Sequence, residues 1–353
     1  MMMTSFRVRR PDDWHVHLRE GEMLRMVAPY TAKRFGRALV MPNTTVPVTT
    51  AEQALAYKRE IERVCSEINR VCGTDFRPVM TLKLLKNTSV EVVSAAGAAG
   101  VKAIKLYPDG ATTNSDTGIT CPLLVSDPAI YREMEKSGVV LSVHAEDPSV
   151  FVMDREAAYL PHVGDLLREF PRLKVVLEHV TSAEAVEFVR GQGDNVAATI
   201  TAHHLAMTLD DVVGGMLAPH SFCKPVAKRP EDREAVRKAA FSGSPKFFFG
   251  SDSAPHLRGK KECASGCAGC FTAPFALELL ATIAAGCGGL GALEKFASES
   301  GARFYGLEPN SGSVELSKRS WAVPAAYGRE GGETLVVPFM AGQTLDWYVT
   351  AEG

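Results

Sequence analysis

No run of about 18 consecutive apolar residues occurs in this 353-residue chain, so a membrane-spanning helix is not expected. Charge of one sign is also lacking, with 39 Lys and Arg against 41 Asp and Glu and a net charge of −2. Without a basic stripe or an acidic tail, nucleic acid and anionic membranes are poor partners. The N-terminal MMMTSFRVRRPDDW carries no apolar signal core. A cytoplasmic protein is therefore expected, with its eight cysteines reduced rather than paired. One cysteine cluster, KECASGCAGC, resembles a zinc knuckle at first sight. No second CxxC and no HxxxH accompany it, so Cys263, Cys267 and Cys270 lack the paired ligands of a closed site. The small residues and glycines there read as a tight loop.

What is present is an ordinary globular composition, 46% hydrophobic, with ample material for a large core. Short apolar runs recur at residues 13–17, 37–43, 77–84, 101–108, 139–146, 173–180, 195–205 and 246–253. Most are nearly continuous, as parallel strands covered on both faces should be. Helical signals lie between them. Thr50-Ala51-Glu52-Gln53 is a capping-box pattern ahead of Leu55, Ile61, Val64 and Ile68, and Thr181-Ser182-Ala183-Glu184 repeats it ahead of Val186 and Val189. Eight alternations of strand and helix predict an α/β fold of the (β/α)8 TIM-barrel type. A doubly wound sheet is the alternative, because strand order cannot be read directly. The barrel is preferred because polar residues gather at the C-terminal ends of the strands, where barrel active sites lie. One domain, 1–353, is expected, with a barrel over about 10–310 and a small C-terminal β or irregular extension over about 311–353. The polar stretch 108–122, PDGATTNSDTGITCP, reads as a lid.

His15 and His17 are two apart on one strand and project to the same face. His144, His179 and Asp252 end strands five, six and eight, so topology brings five metal-type ligands to one mouth. Zinc suits an imidazole-rich set with a carboxylate, with manganese, cobalt and iron as alternatives. Lys105 ends strand four in AIKLYP. It would either snorkel to solvent or pair with Asp109, or else react with CO2. An ammonium cannot persist beside two divalent ions, and a carbamate (N6-carboxylysine) would place a bridging carboxylate there. Two metals sharing a hydroxide would supply a nucleophile, and Asp252 would bind one metal and shuttle the proton to a leaving nitrogen. Arg19, Asn43 and His256 also lie at strand ends as donors, which points to a small anionic substrate and to hydrolysis of an amide-type C–N bond.

PDDWHVHLREGEML, ALVMPNT, AIKLYPDGATTNSDTG, HAE, LEHVTS, GSDSAPH and GCAGCFTAP resemble the monofunctional, short-chain dihydroorotases of the amidohydrolase superfamily. The likeness runs over about residues 6–345. It implies reversible cyclisation of N-carbamoyl-L-aspartate to L-dihydroorotate, the third step of de novo pyrimidine synthesis, in a homodimer. It also implies two zinc ions, one held by His15, His17, Lys105 and Asp252 and the other by Lys105, His144 and His179. Arg19, Asn43 and His256 would take the α-carboxylate, Thr112 and Thr113 would be lid threonines, and main-chain groups at Lys224 and Ala268 would contact the ring or ureido edge. Lys224 stands where bacterial relatives often have Leu, and HAED replaces the commoner HGE. The alternatives are another cyclic amidohydrolase, hydantoinase- or allantoinase-like, and a metal-free scaffold relative. The short segment before His15 argues against the first, and the intact ligand set argues against the second.

Overall fold

The computed structural model describes residues 4–111, 118–328 and 334–352. Eight parallel strands pair in chain order: β2 (Asp12–Val16), β3 (Arg37–Val40), β4 (Arg77–Lys83), β5 (Ala103–Leu106), β6 (Val140–Val143), β7 (Val175–Leu177), β8 (Val196–Ile200) and β9 (Phe247–Phe249). All eight predicted runs overlap one of them, and seven contain it whole; β2 starts one residue before its run. Just past β9, the Asp252 N–H donates to the His15 carbonyl (2.8 Å) and the His17 N–H donates to the Ser253 carbonyl (3.1 Å). A parallel bridge between Val16 and Ser253 completes the circle. This is the closed (β/α)8 barrel, and the doubly wound alternative is excluded.

Side-chain alternation sorts each strand between two environments. Leu39, Ala103, Val140, Val176, Ala197 and Phe248 form an interior apolar layer with Trp14, plugged by Ala302 and Tyr305. Trp14 stacks on Tyr305 with ring centroids 4.6 Å apart. Ile104, Leu141, Leu177, Ala198 and Phe249 instead join the larger core outside the barrel wall. β2 breaks this rhythm, because Trp14 is interior whereas Val16, two residues on, is exterior. The register of β2 against β3 shifts between Asp13 and Val16, which reconciles the two placements.

The helix Ala51–Cys72 starts with the predicted box: Thr50 accepts from the Gln53 N–H and the Gln53 side chain accepts from the Thr50 N–H. The second predicted box differs. Ser182 caps the helix Ala183–Gly191 by accepting from the Ala185 N–H, while the Thr181 N–H and hydroxyl donate to Glu156. A buried carboxylate thus outcompetes the local cap for Thr181.

The extension forms β10 (Ser313–Ala322) and β11 (Thr344–Glu352) outside the barrel, as expected. Their sheet also takes in β1 (Ser5–Arg9), which the sequence reading left out and which pairs antiparallel with β10. Arg34, which donates to Glu278 (2.8 Å) and pairs with Glu352, ties this sheet to the barrel helices. Among the described residues no helix is long and apolar enough to cross a membrane.

Candidate metal centre and substrate pocket

Two residues beyond the apolar layer, the interior positions of β5 to β8 turn polar. Ala103 is followed by Lys105, Val140 by Ser142, Val176 by Glu178 and Ala197 by Thr199, all fully or almost fully buried. Phe248 is followed by Gly250, where a Cβ would stand 2.9 Å from that of His15, so only glycine leaves room for the imidazole. The predicted ligands close this layer in two groups. His15, His17 and Asp252 bring ligand atoms within 4.8 Å of one another. Asp252 Oδ1 lies 3.0 Å from His17 Nε2 and 3.4 Å from His15 Nε2. In the other group His144 Nδ1 and His179 Nε2 face each other at 3.2 Å. The His15 and His179 rings, 5.0 Å apart, join the two groups.

Lys105 lies between them electrostatically, since it is coupled to Asp252 and Glu178 and in turn depresses His144 and His179. It neither reaches solvent nor pairs with Asp109. It is 0% exposed, and its Nζ has no hydrogen-bond partner among the described residues. Burial, opposed by Glu178 and Asp252, pulls its pKa down from 10.5 to about 8. A buried amine with three unused donors is costly to keep, and a depressed pKa favours the neutral, nucleophilic form. Burial likewise lowers His17 to about 4 and lowers His144 and His179, so these three imidazoles are held neutral and able to ligate. For Asp252, burial works to raise the pKa, but the hydrogen bond from His17 and the electrostatic pull of the adjacent His15 and His17 rings outweigh it and leave the carboxylate ionised.

Surrounding carboxylates, none of them singled out from the sequence, fix which imidazole nitrogen faces inward. Glu178 accepts from His15 Nδ1 (2.7 Å), leaving Nε2 for the mouth. It also accepts from Thr199 Oγ1 (2.6 Å) and from Ser142 Oγ, and Thr199 Oγ1 accepts the His179 N–H at 2.6 Å. Glu146 accepts from His144 Nε2 (2.7 Å), leaving Nδ1 inward. Orienting carboxylates of this kind are the usual companions of metal-binding histidines. Their position beside ligand histidines, in LEHVTS and HAE, is the signal that was available.

Backbone conformation marks the same place. Among the described residues only four other than glycine have left-handed backbone, and three are Arg19 (φ 60°), His179 (φ 43°) and Asp252 (φ 41°). Such strain persists where surrounding contacts over-determine it, commonly at functional sites.

Beside the ligands, a cavity of about 310 Å3 is lined by His17, Arg19, Asn43 and His256 among others. A smaller adjoining cavity is lined by His17, Arg19, Asn43, Lys224, Asp252 and Ala268. These cavities bring together every predicted substrate residue except Thr112 and Thr113, which lie outside the described residues. Arg19 Nε donates to the Pro255 carbonyl (3.0 Å). His256 Nε2 lies 3.0 Å from both Arg19 Nη2 and the Ala268 carbonyl, accepting from the first or donating to the second according to its tautomer. Cys263, Cys267 and Cys270 are free thiols along the loop that carries Ala268. Gly269 has φ 143°, and a Cβ there would stand 2.5 Å from the Ala254 carbonyl, which accounts for the small residues. A further group, His203, His204 and Cys223, also has ligand-type atoms within 4.8 Å. There His204 uses both ring nitrogens within the protein, on Thr201 Oγ1 (2.9 Å) and on the Pro225 carbonyl (3.0 Å).

Comparison with known proteins agrees with this geometry. The amidohydrolase family profile matches residues 13–337. A dihydroorotase from Aromatoleum aromaticum is 48% identical over 351 residues, 98% of this chain and 100% of that one. Among solved structures, a dihydroorotase from Campylobacter jejuni is 38% identical with a TM-score of 0.88, covering 99% of both chains. A Saccharomyces cerevisiae dihydroorotase in complex with 5-fluoroorotic acid is 34% identical with a TM-score of 0.90, again covering 99% of both. The chain belongs to the amidohydrolase family, and within that family it groups with the dihydroorotases.

Proposed function

We propose that this protein catalyses the reversible cyclisation of N-carbamoyl-L-aspartate to L-dihydroorotate, acting as a single-domain homodimer in the cytoplasm. The observation that carries the reading is the meeting of six metal-type side chains with an Arg19–Asn43–His256 anion pocket in one barrel mouth. Identity of 34–48% to dihydroorotases along nearly the whole chain supports that substrate over those of other cyclic amidohydrolases.

The residues fit two zinc ions. His15, His17 and Asp252 would hold one and His144 and His179 the other, with Lys105 shared. Bound zinc supplies a hydroxide nucleophile at neutral pH and polarises the carbonyl oxygen. Lys105, buried and with no hydrogen-bond partner among the described residues, suits carbamylation: its neutral Nζ would bond to the carbon of CO2 and release a proton, and the resulting N6-carboxylysine would offer a carboxylate to the metals. Asp252 accepts the proton of the attacking water in the hydrolytic direction and passes it to the ring nitrogen as the C–N bond breaks. In cyclisation the same carboxylate takes the proton from the ureido nitrogen. The Arg19 guanidinium, with Asn43 and His256, holds the α-carboxylate and so orients the reacting carbonyl. Main-chain groups at Lys224 and Ala268 hold the opposite edge, and Thr112 and Thr113 would close over the ligand.

The test is interconversion of the two compounds by the purified protein. Ring closure turns a dianion plus a proton into a monoanion plus water, so the equilibrium ratio of dihydroorotate to carbamoyl aspartate should fall about tenfold per pH unit as pH rises. A ratio indifferent to pH, or no interconversion by zinc-loaded protein, contradicts the assignment.

A further inference from the structure

Lys261 is an unusual lysine: it is 4% exposed, yet no carboxylate pairs with it among the described residues. Its three ammonium donors go instead to three main-chain carbonyls, Phe222 (3.0 Å), Cys267 (3.1 Å) and Gly269. An ammonium has three donors and no acceptor capacity, so this coordination is complete. Burial of a cation without a carboxylate is expensive, and the three carbonyl contacts offset that cost.

The carbonyls it gathers belong to two loops remote in sequence. One runs through Phe222 to Lys224, and the other has Ala268 between Cys267 and Gly269. A backbone bond from the Gly269 N–H to the Phe222 carbonyl (2.9 Å) joins the loops at the same point. The peptides on either side of Ala268 are therefore clamped, while Ala268 and Lys224 themselves line the cavity beside Asp252. Lys261 is also electrostatically coupled to Arg19.

We propose that Lys261 is the positioning residue that sets the two main-chain walls of the substrate pocket. The proposal rests on the dihydroorotase reading of that pocket. Lys261 touches no reacting atom, so its loss acts on binding and leaves the metal centre alone.

The experiment compares Lys261→Met, which keeps the stem and loses all three donors, with Lys261→Gln, which keeps two donors and loses the charge. For Lys261→Met, KM for both carbamoyl aspartate and dihydroorotate rises about tenfold or more, as for one lost charge-assisted hydrogen bond, while kcat and zinc content stay near wild type. Lys261→Gln recovers part of that loss, and it carries the test if Lys261→Met does not fold. Amide hydrogen exchange without substrate gives an independent readout, because peptides covering 222–224 and 267–270 should both exchange faster in the variant. An unchanged KM, or kcat and metal content falling together with it, overturns the proposal. Faster exchange in both loops of a protein whose wild type cannot interconvert the two compounds would instead keep the clamp and overturn the functional reading.

Discussion

The two ends of the barrel interior are built on opposite principles. Below, Trp14, Leu39, Val140, Val176 and Phe248 fill the barrel with apolar side chains that need no partner. Two residues further along, Lys105, Ser142, Glu178 and Thr199 occupy the equivalent interior positions with polar groups that do. The lower layer contributes burial, at about 1.5–3 kcal/mol for a large apolar side chain. The upper layer is buried too, but it carries left-handed backbone at His179 and Asp252 and, in Lys105, an amine with no hydrogen-bond partner among the described residues. Stability and chemistry are thus separated by one step of the β-strand repeat. The upper layer is tolerable because the lower one holds the strands in place.

The separation can be broken at graded cost. Lys105→Ala, at the centre of the polar layer, should reduce turnover roughly a thousandfold or more and leave fewer than two metals per chain, read by activity and elemental analysis. Enzyme stripped with a chelator should regain activity with zinc only when bicarbonate is also present, because the carbamate has to re-form. Glu178→Gln should weaken metal retention or turnover about 10–100-fold by releasing His15 and the Thr199 link to His179, measured as the rate of metal loss to a chelator. Phe248→Ala, in the lower layer, should cost about 3–5 kcal/mol of stability in denaturant unfolding while turnover per folded molecule changes little. A large loss of turnover in a folded Phe248→Ala protein would show that the two layers are not separable.

The same contrast explains what the sequence made legible. Near-continuous apolar runs marked all eight barrel strands, and the polar residues closing them marked the candidate ligands, since both signals are local. β1 was missed because its stabilising partner lies about 300 positions away, with Arg7 opposite Glu315, and a five-residue strand carries little pattern of its own. Thr181 was misassigned for a similar reason, because its hydroxyl is claimed by Glu156 from another element. The roles of Glu178 and Glu146 depend on which nitrogen of a neighbouring imidazole faces the mouth, and no spacing rule encodes that. Nor could the register shift in β2 be read, although it lets Trp14 fill the lower layer while His15 and His17 face the mouth above it. Arg19, Asn43, Lys224, His256 and Ala268 converge on the adjoining cavities as expected, yet the lysine that braces two of them, Lys261, lies in a run of basic residues with the look of ordinary surface.

The central claim is that Lys105 makes this mouth dinuclear, and crystallographic density with anomalous scattering at the zinc edge of active enzyme tests it most directly. Two anomalous peaks should appear, one among His15, His17 and Asp252 and one between His144 and His179, with carboxylate density extending Lys105 to both. Fully active enzyme with an unmodified Lys105 and a single peak would contradict the account.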